Sequence, residues 1–363
     1  MTDQELSAWL RFCHCELAPD TAFEILCRFE CDIEALMGDR AFFADRFASS
    51  PKQLDRILHW TEADVSKDLK YLERQQIRLI PFSSPEYPQK LKYITDPPCA
   101  LFVKGKADLN SEAPVLAVVG SRHADYYGLY MAETITRDLS KNGFIIVSGG
   151  ARGIDSAAHR GSMKGKGETW SVFGCGLGVD YPPENSLLFM DIVESGGSLL
   201  SEYHPASRID RYKFPLRNRI IAGLCDAILV IQAPVKSGSL ITAALARDCG
   251  KDVYAVPGNA DNDKNSGTNL LIKDGCPLIE NADDVAFNMG YTVLLAPDTS
   301  ADSLSEKEKA VFDCITTIPI GDYAISEKTG LPTEELSGVL TGLEVKGVVK
   351  RVPGNRFVRS VLS

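Results

Sequence analysis

Residues 115–160 read VLAVVGSRHADYYGLYMAETITRDLSKNGFIIVSGGARGIDSAAHR. Val115–Val119 and Phe144–Val147 are apolar runs without polar alternation, as expected of strands covered on both faces of a parallel sheet. Tyr130–Lys141 lies between them with helical spacing, and the turn Ser148-Gly149-Gly150-Ala151-Arg152-Gly153-Ile154-Asp155 leads into a second helix containing His159. Strand, helix, strand, helix is the rhythm of a doubly wound α/β domain.

The same rhythm extends outward. Ile77–Phe82, Leu101–Val103, Thr169–Phe173, Ser198–Ser201, Ala227–Ile231 and Val253–Val256 read as further strands, and Leu240–Asp248 as a helix. The spacing predicts one mainly parallel sheet domain over residues 76–290. Before it, residues 1–75 place Leu6, Leu10, Phe23, Leu26, Phe29, Ile33, Leu36, Phe43 and Phe47 at three- and four-residue steps, which predicts several short packed helices. After it, the polar run Pro297–Ser303 marks a linker over 291–303. Residues 304–363 then give helices at Glu306–Ile315, near Asp322–Thr329 and from Thr333, followed by Val348–Arg351, a Pro353-Gly354-Asn355 turn and Arg356–Val358. Three helices and a hairpin are the winged-helix pattern.

Composition narrows the function classes. With 363 residues and 44% hydrophobic content the chain can bury a sizeable core, so dominant disorder is excluded. Lys and Arg number 39 against 49 Asp and Glu, a net −10, so any nucleic-acid binding must come from a local patch. Asp3 and Glu5 stand where a signal peptide would be basic, and no apolar run approaches the roughly 18–20 residues of a membrane span. A cytoplasmic protein with ten reduced cysteines and no membrane partner is expected.

Candidate chemistry gathers in the turns after the strands, where open α/β sheets bind ligands. Ser121 and Arg122 follow the first quoted strand, and Gly149, Gly150 and Arg152 precede a helix whose free N–H groups suit a phosphate. Lys236, Ser237, Gly238 and Ser239 precede another helix. Gly174-Cys175-Gly176-Leu177-Gly178 approaches a dinucleotide fingerprint but has the wrong third spacing. Several such turns along one sheet edge make a long groove.

The stretch Arg208–Arg219 is the most informative. It carries Arg208, Arg211, Lys213, Arg217 and Arg219 against Asp210 alone, with Tyr212 and Phe214 interleaved. Cations for phosphates plus an aromatic for base stacking describe a single-strand nucleic-acid site. The alternative is a solvated basic loop with Phe214 tucked into the core. Arg160, Lys164 and Lys166 would extend the basic patch.

Enzyme readings fare worse. Gly161-Ser162-Met163-Lys164-Gly165-Lys166-Gly167 is one residue short of a P-loop and has Gly where Ser or Thr would bind magnesium. Cys13, Cys15, Cys27 and Cys31 lack zinc-knuckle spacing. Asp155 and His159 form an i, i+4 pair without an adjacent nucleophile, so Asp155 is expected to cap a helix or stabilise a turn.

Taken together, Gly120-Ser121-Arg122, Ser148–Asp155 with Ala158-His159, Phe173–Leu177 with Tyr181-Pro182, Ser201-Glu202, Phe214–Leu224, Ser237–Ala243, Val256-Pro257-Gly258 and Gly267–Ile272 resemble the DNA-processing protein A (DprA/Smf) family, in that family's order. The flanks resemble members with an N-terminal helical, SAM-like domain and a C-terminal winged helix. The resemblance implies a Rossmann-like domain that binds single-stranded DNA without cofactor or catalysis, dimerises, and loads the RecA recombinase onto incoming DNA in natural transformation. It assigns phosphate binding to Arg122, base stacking to Phe214, and surrounding contacts to Arg211, Arg217, Asn218 and Arg219. Gln232, Gly178 and Pro183 depart from the family's pattern.

Two rivals remain. A nucleoside-monophosphate phosphoribohydrolase shares the scaffold, but its P-G-G-x-G-T-x-x-E segment is represented here by Pro257-Gly258-Asn259-Ala260, without the Glu. A transcription regulator would read DNA through the winged helix, whose presumed recognition helix carries Glu334, Glu335 and Glu344 against Lys346. Lys350, Arg351, Arg356 and Arg359 on the wing are suited to a duplex backbone, and a protein partner is the other use of this domain.

Overall fold

The computed structural model describes residues 2–59, 61–291, 304–316, 319–346, 348–352 and 354–359, apart from the side chains of Lys52, Glu62 and Arg359. Eight strands form the central sheet: β1 (Ile77–Pro81), β2 (Ala100–Gly105), β3 (Val115–Val119), β4 (Ile145–Ser148), β5 (Thr169–Val172), β6 (Ser198–Ser201), β7 (Ala227–Val230) and β8 (Asp252–Ala255). Their order is β1-β2-β6-β5-β4-β3-β7-β8. Strands β3 to β8 are parallel, whereas β1 and β2 are antiparallel additions at one edge. The chain runs outward from β3 to β6 and then returns to place β7 beside β3. That reversal is the topological switch point, where the crevice of an open sheet lies.

Every residue of β3 through β7 is buried, including Ser148, Thr169, Ser171, Ser198 and Ser201, as expected of strands covered on both faces. One face packs Val119, Val147 and Leu200 against Ile220, Ile221, Ala243 and Ala246 of helices Lys213–Leu224 and Gly238–Asp248. The other packs Leu116, Val118, Ile146 and Leu229 against helices Tyr126–Lys141 and Ile154–Lys164. The first of these starts four residues before its sequence pattern, because the Asp125 carboxylate accepts the Gly128 N–H at 3.1 Å and caps it.

Among the described residues before β1 there are six helices, from Asp3–His14 to Glu62–Gln75. Their apolar faces pack on one another and continue into the sheet. Leu10, Ile25, Leu26 and Leu36 share one core with Leu79, Phe102, Phe173, Phe189 and Leu199. The helical segment is therefore packed onto the sheet as part of its fabric.

The C-terminal portion contains helices Glu306–Cys314, Asp322–Thr329 and Thr333–Val345, with β9 (Ile320–Gly321), β10 (Val349–Val352) and β11 (Arg356–Arg359) in the order β10-β11-β9. Val311, Ile325, Leu336, Leu340, Leu343 and Phe357 form its own core, the arrangement of a winged helix. The expected linker lies outside the described residues from 292 to 303. All ten cysteines are free thiols, and among the described residues no helix is long and apolar enough to cross a membrane.

Candidate nucleic-acid interface

The loops after β3 and β7 and the start of helix Lys213–Leu224 enclose a cavity of about 600 Å³ at the switch point. Ser121, Arg122, Arg211, Phe214, Arg217, Asn218, Ser237, Gly238 and Ser239 all line it, so nine of the expected site residues meet. Gly149 and Arg152 line a smaller adjoining recess with Arg122, Tyr181, Phe214 and Arg217. Gly150, Arg219 and Lys236 line neither recess.

The loop walls are fixed from below by Gln232, which is fully buried. Its backbone carbonyl accepts the Ser121 N–H at 2.7 Å, and its side-chain oxygen accepts the Asp125 N–H at 3.0 Å. Its amide nitrogen donates to Asp125 and to Asn265 at 3.0 and 2.9 Å. The opposite wall is a helix start: Ser237 accepts the Ser239 N–H at 3.3 Å and contacts the Ser239 hydroxyl at 2.7 Å. That end of the eleven-residue helix Gly238–Asp248 presents partial positive charge to the cavity.

Phe214 is half-buried and borders both recesses. Its ring centre lies 5.2 Å from that of Tyr181, and the exposed Arg122 guanidinium carbon lies 5.7 Å from it. It is not a core residue. Arg122 and Arg211 are exposed and among the described residues have no acid within ion-pair distance. Arg152 is also exposed but is paired with Glu184.

Arg217 plays a different part. It is buried, and its Nη1 donates to the Gly149 carbonyl at 2.8 Å and to that of Val172, tying the ends of β4 and β5. Burial pushes its pKa down to about 10, against the opposing pull of Asp155. Burial raises the Asp155 carboxyl, opposed chiefly by Arg217. Asp155 also accepts the Ala151 N–H at 3.2 Å, so it stabilises the turn. A Cβ on Gly149 would stand 2.5 Å from Arg217 Nη2 and 2.7 Å from Asp155 Oδ2. The glycine is required there by these two internal groups. Gly150 is likewise buried, and a Cβ there would meet Ser171 and Phe189, so of the two glycines expected at the phosphate turn only Gly149 borders a recess.

The basic stretch needs a larger correction. Of its five cations, Lys213, Arg217 and Arg219 are buried. Arg219 turns away from the groove into a buried pair with Glu202, and Lys213 donates to Glu16 of the N-terminal helical segment at 3.0 Å. Only Arg208 and Arg211 of the five are exposed. Lys164 is paired with Glu133, and neither Arg160 nor Lys166 lines the cavity. His159 is buried, with Nδ1 2.7 Å from Thr169 Oγ1. The Thr169 hydroxyl donates to the Ile146 carbonyl, and burial holds the imidazole down to about 3, so it is neutral. Tyr181, Ile241 and Thr242 line the cavity too; they fall within the quoted family motifs, but sequence reasoning gives them no role in the site. Tyr181 is an aromatic beside a glycine-rich turn, a signal the sequence does carry.

A cavity at the switch point of a doubly wound sheet, walled by cations, a half-exposed aromatic and a helix start, marks the candidate site of a Rossmann-like protein. The family model described as "DNA recombination-mediator protein A" matches residues 78–290, and that of the "DprA winged helix domain" matches residues 296–355. Protein Smf of Escherichia coli is 34% identical over 318 residues, covering 85% of this chain and 84% of its own. The solved structure of DNA processing protein A from Streptococcus pneumoniae is similar with a TM-score of 0.68 and 33% identity, covering 81% of this chain and 99% of that one. That of DNA processing protein A from Helicobacter pylori, a study of its single-stranded DNA binding mode, has a TM-score of 0.54 and 29% identity over 60% of this chain and 97% of that one. The chain belongs to the DprA/Smf family of DNA-processing proteins.

Proposed function

We propose that the switch-point cavity binds single-stranded DNA, and that the protein protects incoming DNA and loads RecA onto it during natural transformation. The observation that carries the binding reading is the half-exposed Phe214 ring set between Arg122 and Tyr181, with Arg211 at the rim. An unpaired base stacks on such a ring while cations and helix-start N–H groups take the phosphates. The Helicobacter pylori relative, named for single-stranded DNA binding, supports it. Recombinase loading and dimerisation rest on the family resemblance, and a reducing cytoplasmic setting on the sequence reading of the chain's start, its apolar runs and its scattered cysteines.

No catalytic step is assigned. The groove carboxyl Asp155 is engaged by Ala151 and faces Arg217, His159 is committed to Thr169, and burial pushes the Cys175 thiol up to about 11. Incubation with AMP should release no base. The winged helix is assigned a protein partner or the duplex backbone through its wing, because Glu334 and Glu335 open its third helix. The deciding experiment is fluorescence anisotropy with single-stranded and duplex oligonucleotides at several salt concentrations. Preference for the single strand, with log affinity falling by roughly 0.7 per phosphate contact per decade of salt, is expected; equal affinity for both forms overturns the reading.

A further inference from the structure

A second cavity, of about 480 Å³, lies between the last N-terminal helix and the sheet loops. Its helical wall is Lys67, Lys70, Tyr71 and Arg74; Gly178 and Pro205 face them. On helix Glu62–Gln75 these four residues follow i, i+3, i+4, i+7 spacing and share one face. The helix is firmly begun by the reciprocal Thr61–Asp64 capping box, which also occupies the Asp64 carboxylate. Asp68, the acid on the cavity wall, is taken by His204 Nε2 at 3.0 Å.

Lys67, Lys70 and Arg74 are exposed, and among the described residues none has an acid within ion-pair distance. Against them stands the exposed Asp180, near Tyr71. In a chain of net charge −10 this is a local cationic patch, and it surrounds a half-buried aromatic. The Arg74 guanidinium carbon sits 5.8 Å from the Tyr71 ring centre.

One loop connects the surroundings of the two cavities. The loop that follows β5 lies under Phe214 at Gly174, where a Cβ would come within 2.8 Å of the ring. At Gly178 the same loop lies under Tyr71, whose hydroxyl oxygen would be 2.8 Å from a Cβ. Tyr181, three residues on, borders the first cavity, and three residues span at most about 11 Å. Phe214, Tyr181 and Tyr71 thus follow one loop, with cations at both ends.

We propose that Lys67, Lys70, Tyr71 and Arg74 form a second single-strand subsite, which receives the continuation of the strand held at Phe214. The proposal rests on the groove reading above. Its chemistry is that of a nucleic acid with unpaired bases: phosphates for three cations, a base for Tyr71. The N-terminal helical segment then lengthens the binding site.

The test uses the full chain and two oligothymidylates, one of about six nucleotides and one of about twenty, which bracket a single groove and an extended one. Lys67→Gln/Lys70→Gln/Arg74→Gln should leave the short oligonucleotide bound within about twofold. It should weaken the long one at least tenfold and flatten its salt slope by about 2, three contacts at roughly 0.7 each. Tyr71→Leu should lower long-strand affinity by about fivefold or more, from lost stacking. Ultraviolet crosslinking of a 5-iododeoxyuridine-substituted long strand should reach Tyr71. Equal losses for both lengths, or none for the long strand, overturn the subsite. If the unaltered protein binds neither length, the groove reading itself falls.

Discussion

Glu16→Gln removes one charge and almost no volume from the contact that anchors the groove helix. Lys213, the first residue of helix Lys213–Leu224, has a side chain only 4% exposed. Its ammonium donates to Glu16 at 3.0 Å, to the Ser207 hydroxyl at 2.6 Å and to the Arg208 carbonyl at 3.3 Å, which uses all three protons. Ser207 in turn donates to Glu16. Removing one member of a buried pair costs about 3–5 kcal/mol. Glu16 is 20% exposed, and Gln keeps an acceptor, so about 2–3 kcal/mol is expected here. Lys213→Met alone should cost less, because Glu16 keeps Ser207 and Arg56. The double variant should recover at least about 1 kcal/mol relative to the sum of the singles. Burial opposes ionisation of Glu16, but Ser207 and Lys213 outweigh it and hold the carboxyl below its ordinary range. Its contribution is therefore complete above the unfolded-state value of about 4.3 and is lost as pH falls through the lower folded value. The gap between unaltered and Gln proteins should close over that acidic range. Urea unfolding followed by tryptophan fluorescence reports the right region, since Trp9, Trp60 and Trp170 all precede residue 292. Unchanged midpoints for Glu16→Gln, or strict additivity with Lys213→Met, would refute the reasoning.

Three further outcomes are expected. Arg122→Ala should weaken single-strand binding for every sequence and reduce the salt slope by about 0.7, one phosphate contact, in anisotropy titrations. Phe214→Ala should cost about 1–3 kcal/mol of binding. Because the ring is half-buried, its stability cost should fall below the roughly 3–5 kcal/mol of a core phenylalanine, as measured by denaturant unfolding. Deleting residues 297–363 should leave single-strand affinity within about 1 kcal/mol, because the cavity residues all precede them; a hundredfold loss in a folded truncation would place the tail in the site.

The sheet was legible because burial on both faces leaves an unmistakable trace: Val115–Val119 and Ala227–Val230 contain nothing polar. The cavity was legible because a doubly wound topology brings the ends of its strands together, so separate turns after β3 and β7 had to meet. What the basic stretch concealed was the identity of each cation's partner. Lys213 meets an acid 197 residues earlier, and Arg219 meets one 17 residues earlier on another element. No periodicity carries such information. Gly149 and Gly150 were recognisable as necessary, yet the groups that require them are an arginine, an aspartate, a serine and a phenylalanine supplied by the tertiary structure. The packing of the N-terminal helices onto the sheet was hidden for the same reason, since an amphipathic helix shows that it buries a face and not what covers it.

That shared core has a consequence for how the chain acquires its structure during synthesis. Leu10, Leu26 and Leu36 leave the ribosome first, but the core they belong to is completed only by Phe173, Phe189 and Leu199. Between Leu10 and Leu199 lie about 190 residues, so at roughly 5–20 residues per second about 10–40 s pass before the last members of that core are made. Throughout that interval the shared core is incomplete, and what it leaves uncovered is open to chaperones and to neighbouring nascent chains. The first segment made is among the last to be completed, and slowing translation before residue 199 should lengthen the period in which the nascent chain is most easily lost to aggregation.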